Sequence, residues 1–159
     1  MTGVPELISA EEHGEETLKK LNSEIELGRI LGPFTSVPIV TLRISPIGLV
    51  PKPDGGWRLI TNLSHPEGNS VNSVIDPEFC KVTYTSFDSI LDKKSVLGKG
   101  AKLAKMDIKS VFRLHPVHPA DFDFMGMQFD GKYCIDKCMP MGCSISCSLF
   151  EKFQLSWID

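Results

Sequence analysis

The residue pattern predicts an α+β fold, on three observations. Two turn signals, Asp54-Gly55-Gly56 and Asp130-Gly131, each lie between short apolar runs of strand length, as tight hairpins require. A helical repeat of Leu18, Leu21 and Ile25 follows Ser9-Ala10-Glu11-Glu12, which has the spacing of a capping box. The 159 residues are one domain's worth, and a 42% hydrophobic content favours a packed core over disorder.

Several classes are excluded at this level. No window approaches the ~18 uninterrupted apolar residues of a membrane span, and the N-terminus has neither a basic start nor an apolar signal core. An intracellular protein, cytoplasmic or nuclear and without a membrane partner, is expected. Five cysteines, an odd count, fit free thiols in a reducing compartment better than a disulfide framework. The net charge of −3 argues at first against a polyanionic partner. It hides a split: residues 1–26 carry seven acids and two lysines, so the remainder is basic by two charges. Lys93, Lys94, Lys99, Lys102, Lys105 and Lys109 crowd the approach to Asp107, although each alone reads equally as part of a solvated face.

In chain order, the first helix runs from the capping box to Gly28, a natural stop. Pro33, Pro38 and Pro46 then punctuate an extended segment. Residues 47–63 form a β-hairpin with Lys52 and Arg58 on its two arms, and residues 64–73 are a polar connector. Ser86 starts a second helix through Ile90, Leu91 and Leu97, ended by Gly98 and Gly100. Residues 102–108 read as a strand, 122–129 and 132–139 as a second hairpin, and 143–158 as a helix led in by Met139-Pro140-Met141-Gly142.

Three sets of residues are chemically suggestive. Lys52 and Arg58 are either cross-strand charges on an exposed ribbon or a basic ribbon over a triphosphate, where Arg offers a planar fork and Lys a point charge. Asp107, at the end of an apolar run, is either a turn former or a ligand that shares a hard cation with the following backbone carbonyl. Cys134, Cys138, Cys143 and Cys147 fit a zinc site only loosely, and His115 and His118 read as ordinary loop histidines. Asp121 and Asp123 have the spacing of one face of a strand.

The order of these segments resembles a reverse transcriptase domain of the retrotransposon type, most closely the DIRS-like elements with a tyrosine recombinase. LVPKPDGGWRLITNLSHPEGNSVN resembles the fingers hairpin, KMDIKSVFRLHPV the first catalytic motif and CMPMGCSISCSLFEKF the second palm motif, over residues 32–153. The resemblance implies the fingers and an incomplete palm of a right-hand polymerase, divided into an N-terminal helix and linker (1–31), fingers (32–100) and partial palm (101–159). It further implies RNA-directed DNA synthesis through two magnesium ions, held by Asp107 and the carbonyl of Ile108, with dNTP and an RNA or DNA template-primer as partners. Lys52 and Arg58 match residues that hold the triphosphate, and Ser110 and Val111 the turn whose amides meet phosphate. Phe112 matches the ring that crowds out a ribose 2′-hydroxyl, Met141 and Gly142 the loop beside the nascent base pair, and Phe150 the helix behind it.

Two departures qualify the resemblance. Val111 stands where the family has a smaller Ala, and no Tyr-x-Asp-Asp motif occurs in the 159 residues. Asp107 alone offers two dications too little negative charge, so the alternative expectation is a truncated, catalytically inactive remnant that binds nucleotide or nucleic acid. Strand 102–108 would then have an open edge and make the chain marginally stable.

Overall fold

The computed structural model describes residues 7–105 and 107–155. The first helical pattern folds as two pieces, α1 (Ile8–Glu12) and α2 (Gly14–Glu26), broken at His13 with φ −120° and ψ 47°. Ser9 is not the expected N-cap: it lies inside α1, and its Oγ accepts from Leu49 N–H, forty residues on, at 3.1 Å. Leu21 is buried and Ile25 packs beside it, whereas Leu18 is exposed. Gly28, with φ +69°, ends α2 and donates its N–H to Ile25 O.

The extended segment contains a strand that sequence pattern did not reveal, β1 (Ile30–Phe34). Its register shifts between Leu31 and Phe34, around Gly32-Pro33. Proline has no N–H for a ladder, so β1 can only be an edge strand. Glycine is needed at position 32, since a Cβ there would come within 2.8 Å of Tyr133 O.

The first predicted hairpin is β2 (Ile47–Pro51) and β3 (Trp57–Thr61), paired from Ile47↔Thr61 to Pro51↔Trp57. Lys52 N–H donates to Gly56 O and Gly56 N–H to Asp54 Oδ1, and of the two glycines only Gly55 takes a positive φ, +81°. Lys52 therefore lies in the loop just past β2, and only Arg58 is on an arm, opposite Val50. A third helix, α3 (Phe87–Leu97), has the expected Ser86 cap, which accepts from Ser89 N–H at 3.2 Å, and ends at Gly98. It buries none of its residues: Ile90, Leu91 and Leu97 all stay exposed.

One expected strand does not form and a second is shortened, each for an identifiable reason. Among the described residues of 102–108 there is no strand; Leu103 and Ile108 are exposed. A single extended segment cannot satisfy its own backbone, and no strand of either sheet pairs with it. The open edge expected for that strand does not arise. Residues 119–124 form a 3₁₀ turn instead of the start of a strand, seeded by Pro119 and capped by His118 Nδ1, which accepts from Ala120 N–H at 3.2 Å. Asp121 and Asp123 thus share a turn rather than a strand face, and Thr41 Oγ1 donates to Asp123 Oδ2.

The second hairpin is β4 (Gly126–Phe129) and β5 (Lys132–Asp136), turned by Asp130 and Gly131 with φ +49° and +68°. These angles are those of the two-residue turn predicted there. β5 ends at Asp136, three residues early, because Lys137 N–H donates to Arg29 O while residues 137–139 bond to 115–117. The sheet order is β1-β5-β4, all antiparallel. The last helix, α4 (Ser146–Leu155), starts three residues later than expected; the predicted stretch 156–158 lies outside the described residues.

Strand alternation divides the core in two. Cys134 packs with Ala10, Leu21, Ile30, Ile47, Met127 and Phe129, whereas Ile135 packs with Leu63, Val71, Val117, Met125, Met139 and Cys143. Two of the proposed zinc cysteines thereby lie in separate cores, and burial pushes the thiols of Cys134 and Cys143 above their ordinary pKa. Cys147 is exposed and Cys80 half-buried. Labelling of the native protein with an alkylating reagent, followed by peptide mass spectrometry, is expected to modify Cys147 first and Cys134 and Cys143 last. Early loss of Cys134 would show that the first core is not closed.

Candidate functional site

The hairpin β2–β3 stands over a turn of the chain at residues 107–113, and the space between them is a cleft of about 750 Å³. Lys52, Trp57, Arg58, Leu59 and Thr61 form one wall. Asp107, Ile108, Lys109, Ser110, Val111, Phe112 and Arg113, with Pro140 and Met141, form the second. The third wall is α2 and its exit, Lys20, Ser23, Glu24, Leu27 and Arg29, and Asp136 at the end of β5 closes the cleft. Of the residues singled out in sequence, Lys52, Arg58, Asp107, Ile108, Ser110, Val111, Phe112 and Met141 all line this one cleft. Gly142 is not among the lining residues. It packs behind them, with φ +107° and its carbonyl accepting from Asn72 Nδ2 at 2.9 Å.

The hairpin reaches the cleft because its inner end is anchored. Leu7 N–H donates to Ile47 O and Leu49 N–H to Ser9 Oγ, while the His13 ring lies 4.3 Å from that of Trp57. Gly48 permits this approach, since a Cβ there would sit 2.8 Å from Leu7 Cδ1. The opposite wall turns at Ser110, which adopts a left-handed conformation with φ 55° and ψ 39°. Such a conformation costs a non-glycine residue about 1–3 kcal/mol and persists only where its surroundings over-determine it.

Those surroundings are legible in the contacts. Phe112 meets the Phe150 ring of α4 edge-on at 6.4 Å. Arg113 turns the other way: Nη1 donates to both oxygens of Asp136 at 2.6 Å and to Cys138 O at 3.2 Å, and Nε donates to Glu24 Oε2 at 3.0 Å. Nη2 lies 2.9 Å from Glu24 Oε2 as an ion pair without hydrogen-bond alignment. Burial pushes the Asp136 carboxyl above the usual carboxylate range, with Arg113 and the Cys138 N–H pulling the other way. For Arg113, burial works against the charge and Asp136 overcomes it, so the guanidinium is held more firmly protonated than usual. Neither Arg113 nor Asp136 was singled out in sequence. The available signal was a charge placed inside each of two apolar runs, VFRLHPV and YCID, and charges so placed need a partner.

With Arg113 and Arg29 committed to carboxylates, Lys20, Lys52, Arg58 and Lys109 make no ion pair among the described residues. They leave the cleft basic around the exposed Asp107, a setting for phosphate oxygens. As for a metal, no group of three His, Cys, Asp or Glu able to hold one occurs among the described residues. Asp107 is the cleft carboxylate without an ion-pair partner, as Glu24 and Asp136 are both engaged by Arg113.

No family model matches the chain, and no curated protein matches it. Solved structures do. Prototype foamy virus protease-reverse transcriptase, in its native crystal structure, superposes with a TM-score of 0.61 at 18% identity, over 98% of this chain and 18% of that one. Two foamy viral protease-reverse transcriptase structures in complex with double-stranded DNA give 0.64 and 0.63 at 17% and 18% identity, over 98% and 96% of this chain. The fold is reverse-transcriptase-like. The chain spans 24% and 28% of the length of those two neighbours. Among the described residues no helix is long and apolar enough to cross a membrane.

Proposed function

We propose that this chain is the nucleotide-binding part of an RNA-directed DNA polymerase, a retrotransposon reverse transcriptase of the DIRS-like type. The observation that carries the proposal is the cleft: Lys52 and Arg58 share it with Asp107, Ile108, Ser110, Val111 and Phe112, about fifty residues on in sequence, and with the more distant Met141. On this reading residues 32–100 are fingers and 101–159 part of a palm, behind an N-terminal segment 1–31. Lys52 and Arg58 bind the triphosphate, the amides at Ser110 and Val111 meet its oxygens, and the Phe112 ring excludes a 2′-hydroxyl. Met141, backed by Gly142, borders the base pair. The double-stranded DNA held by two of the structural neighbours supports a template-primer as partner.

The donor set does not fit two magnesium ions. Asp107 and the carbonyl of Ile108 are the donors that the resemblance assigns, and the other cleft carboxylates are occupied by Arg113. This shortage favours a second reading for these 159 residues on their own, in which nucleotide and nucleic acid bind but no phosphoryl transfer follows.

Equilibrium dialysis with dATP and primer extension on an RNA template with magnesium separate the readings. Binding of dATP is expected to weaken on the order of tenfold in Lys52→Ala and in Arg58→Ala, the size of a charge-assisted hydrogen bond. Incorporation lost in Asp107→Asn would establish the polymerase. Binding without incorporation by the unaltered chain would establish the second reading, and no binding at all would remove both.

A further inference from the structure

The contact that the sequence did not announce is that of the half-buried Arg113, which joins three separate parts of the chain. Its side chain is 12% exposed and that of Asp136 5%, with Nη1 forked onto both Asp136 oxygens at 2.6 Å. Glu24 of α2 supplies the third corner, 3.0 Å from Nε. Arg113 lies three residues after the left-handed Ser110 and next to Phe112, and their loop carries the lining residues from Asp107 onward. A guanidinium held in this way gives that loop few alternatives, because Nε and Nη1 are bonded to acceptors on two other elements and Nη2 is held against Glu24 as an ion pair.

We infer that Arg113, clamped by Asp136 and Glu24, is a positioning residue that holds the 107–112 turn in the shape the cleft needs for a nucleoside triphosphate. The inference rests on the nucleotide-binding reading above and extends it in one respect. It makes α2, which precedes the segment resembling a polymerase, a working part of the site through Glu24. Arg113 acts through the turn and does not touch the phosphates, since Nε and Nη1 are bonded to Glu24, Asp136 and Cys138 O and Nη2 is buried against Glu24.

Two variants of the full chain, each compared below its melting temperature, test this: Asp136→Asn and Arg113→Lys. In each, dATP binding is expected to fall at least tenfold, and amide hydrogen exchange at residues 110–114 to accelerate relative to β4 and β5. The first variant discriminates sharply. If Arg113 were instead a direct phosphate ligand, freeing it from Asp136 would leave dATP binding unchanged or strengthen it, and the inference would be overturned. An arginine with a purely structural role would, as lysine, lower the melting temperature without changing dATP affinity in the folded protein, which would also overturn it. Lys52→Ala is the control: weakening there with no effect of the two clamp variants sinks the clamp alone. Should the unaltered chain fail to bind dATP, the nucleotide reading falls, and unchanged exchange at 110–114 in the variants would remove the clamp independently.

Discussion

Arg113→Ala is expected to destabilise the protein by about 3–5 kcal/mol, the cost of leaving a buried charge without its partner. The alanine would strand Asp136, whose side chain is 5% exposed, with only the Cys138 N–H as a donor at 3.1 Å. Glu24 would lose its main partner and keep Arg29 at 3.5 Å. Much of the loss belongs to the orphaned carboxylate rather than to the ion pair itself. Arg113→Met combined with Asp136→Leu is therefore expected to recover most of the stability while still failing to bind dATP. Urea denaturation of the single and double variants measures the first part, and a double-mutant cycle gives the coupling. A loss below 1 kcal/mol for Arg113→Ala would mean that water reaches Asp136 and that the cluster is a surface ion pair.

Gly142→Ala is expected to cost roughly 2–4 kcal/mol, combining a strained backbone with overpacking. Gly142 has φ +107°, and a Cβ there would lie 2.6 Å from the Thr61 carbonyl oxygen. The obstacle is backbone, at the end of β3, and cannot rotate away. Nor can the residue retreat freely, since Asn72 holds its loop at two points, donating to Gly142 O and accepting from Ser144 N–H at 3.0 Å. The relief open to the chain is to push Met141 or β3 aside, both of which line the cleft. A fall in the urea midpoint together with weaker dATP binding is the expected result; a stable variant with altered binding would show that the loop yields before the core does.

The parts of the fold that were legible in sequence are those whose cause is local. The Asp130-Gly131 turn follows from two residues able to take φ near +50° to +70°, and the Ser86 cap from one hydroxyl within reach of a backbone N–H. The Lys52 and Arg58 hairpin was found for the same reason, although the loop carries Lys52 past the end of its strand. The failures share the opposite cause. Residues 102–108 carry an apolar run that suits a strand, but a strand exists only where another strand pairs with it, and neither sheet includes this segment. β1 was missed because Gly32-Pro33 argues against a strand unless the strand is at an edge. α3 has the local marks of a helix and nothing in them tells whether any face will be covered.

For the candidate site the division runs along the same line. Residue types, their order and their spacing pointed to a basic hairpin, an acid at the head of a turn and a Pro-Met-Gly loop, because side-chain chemistry and turn preference are properties of short stretches. That these segments line one cleft, that α2 is its third wall and that Arg113 ties α2 to β5 depends on contacts between residues as far apart as Glu24 and Arg113. Such contacts come from the packing of the sheet and helices, which no single stretch of the chain encodes.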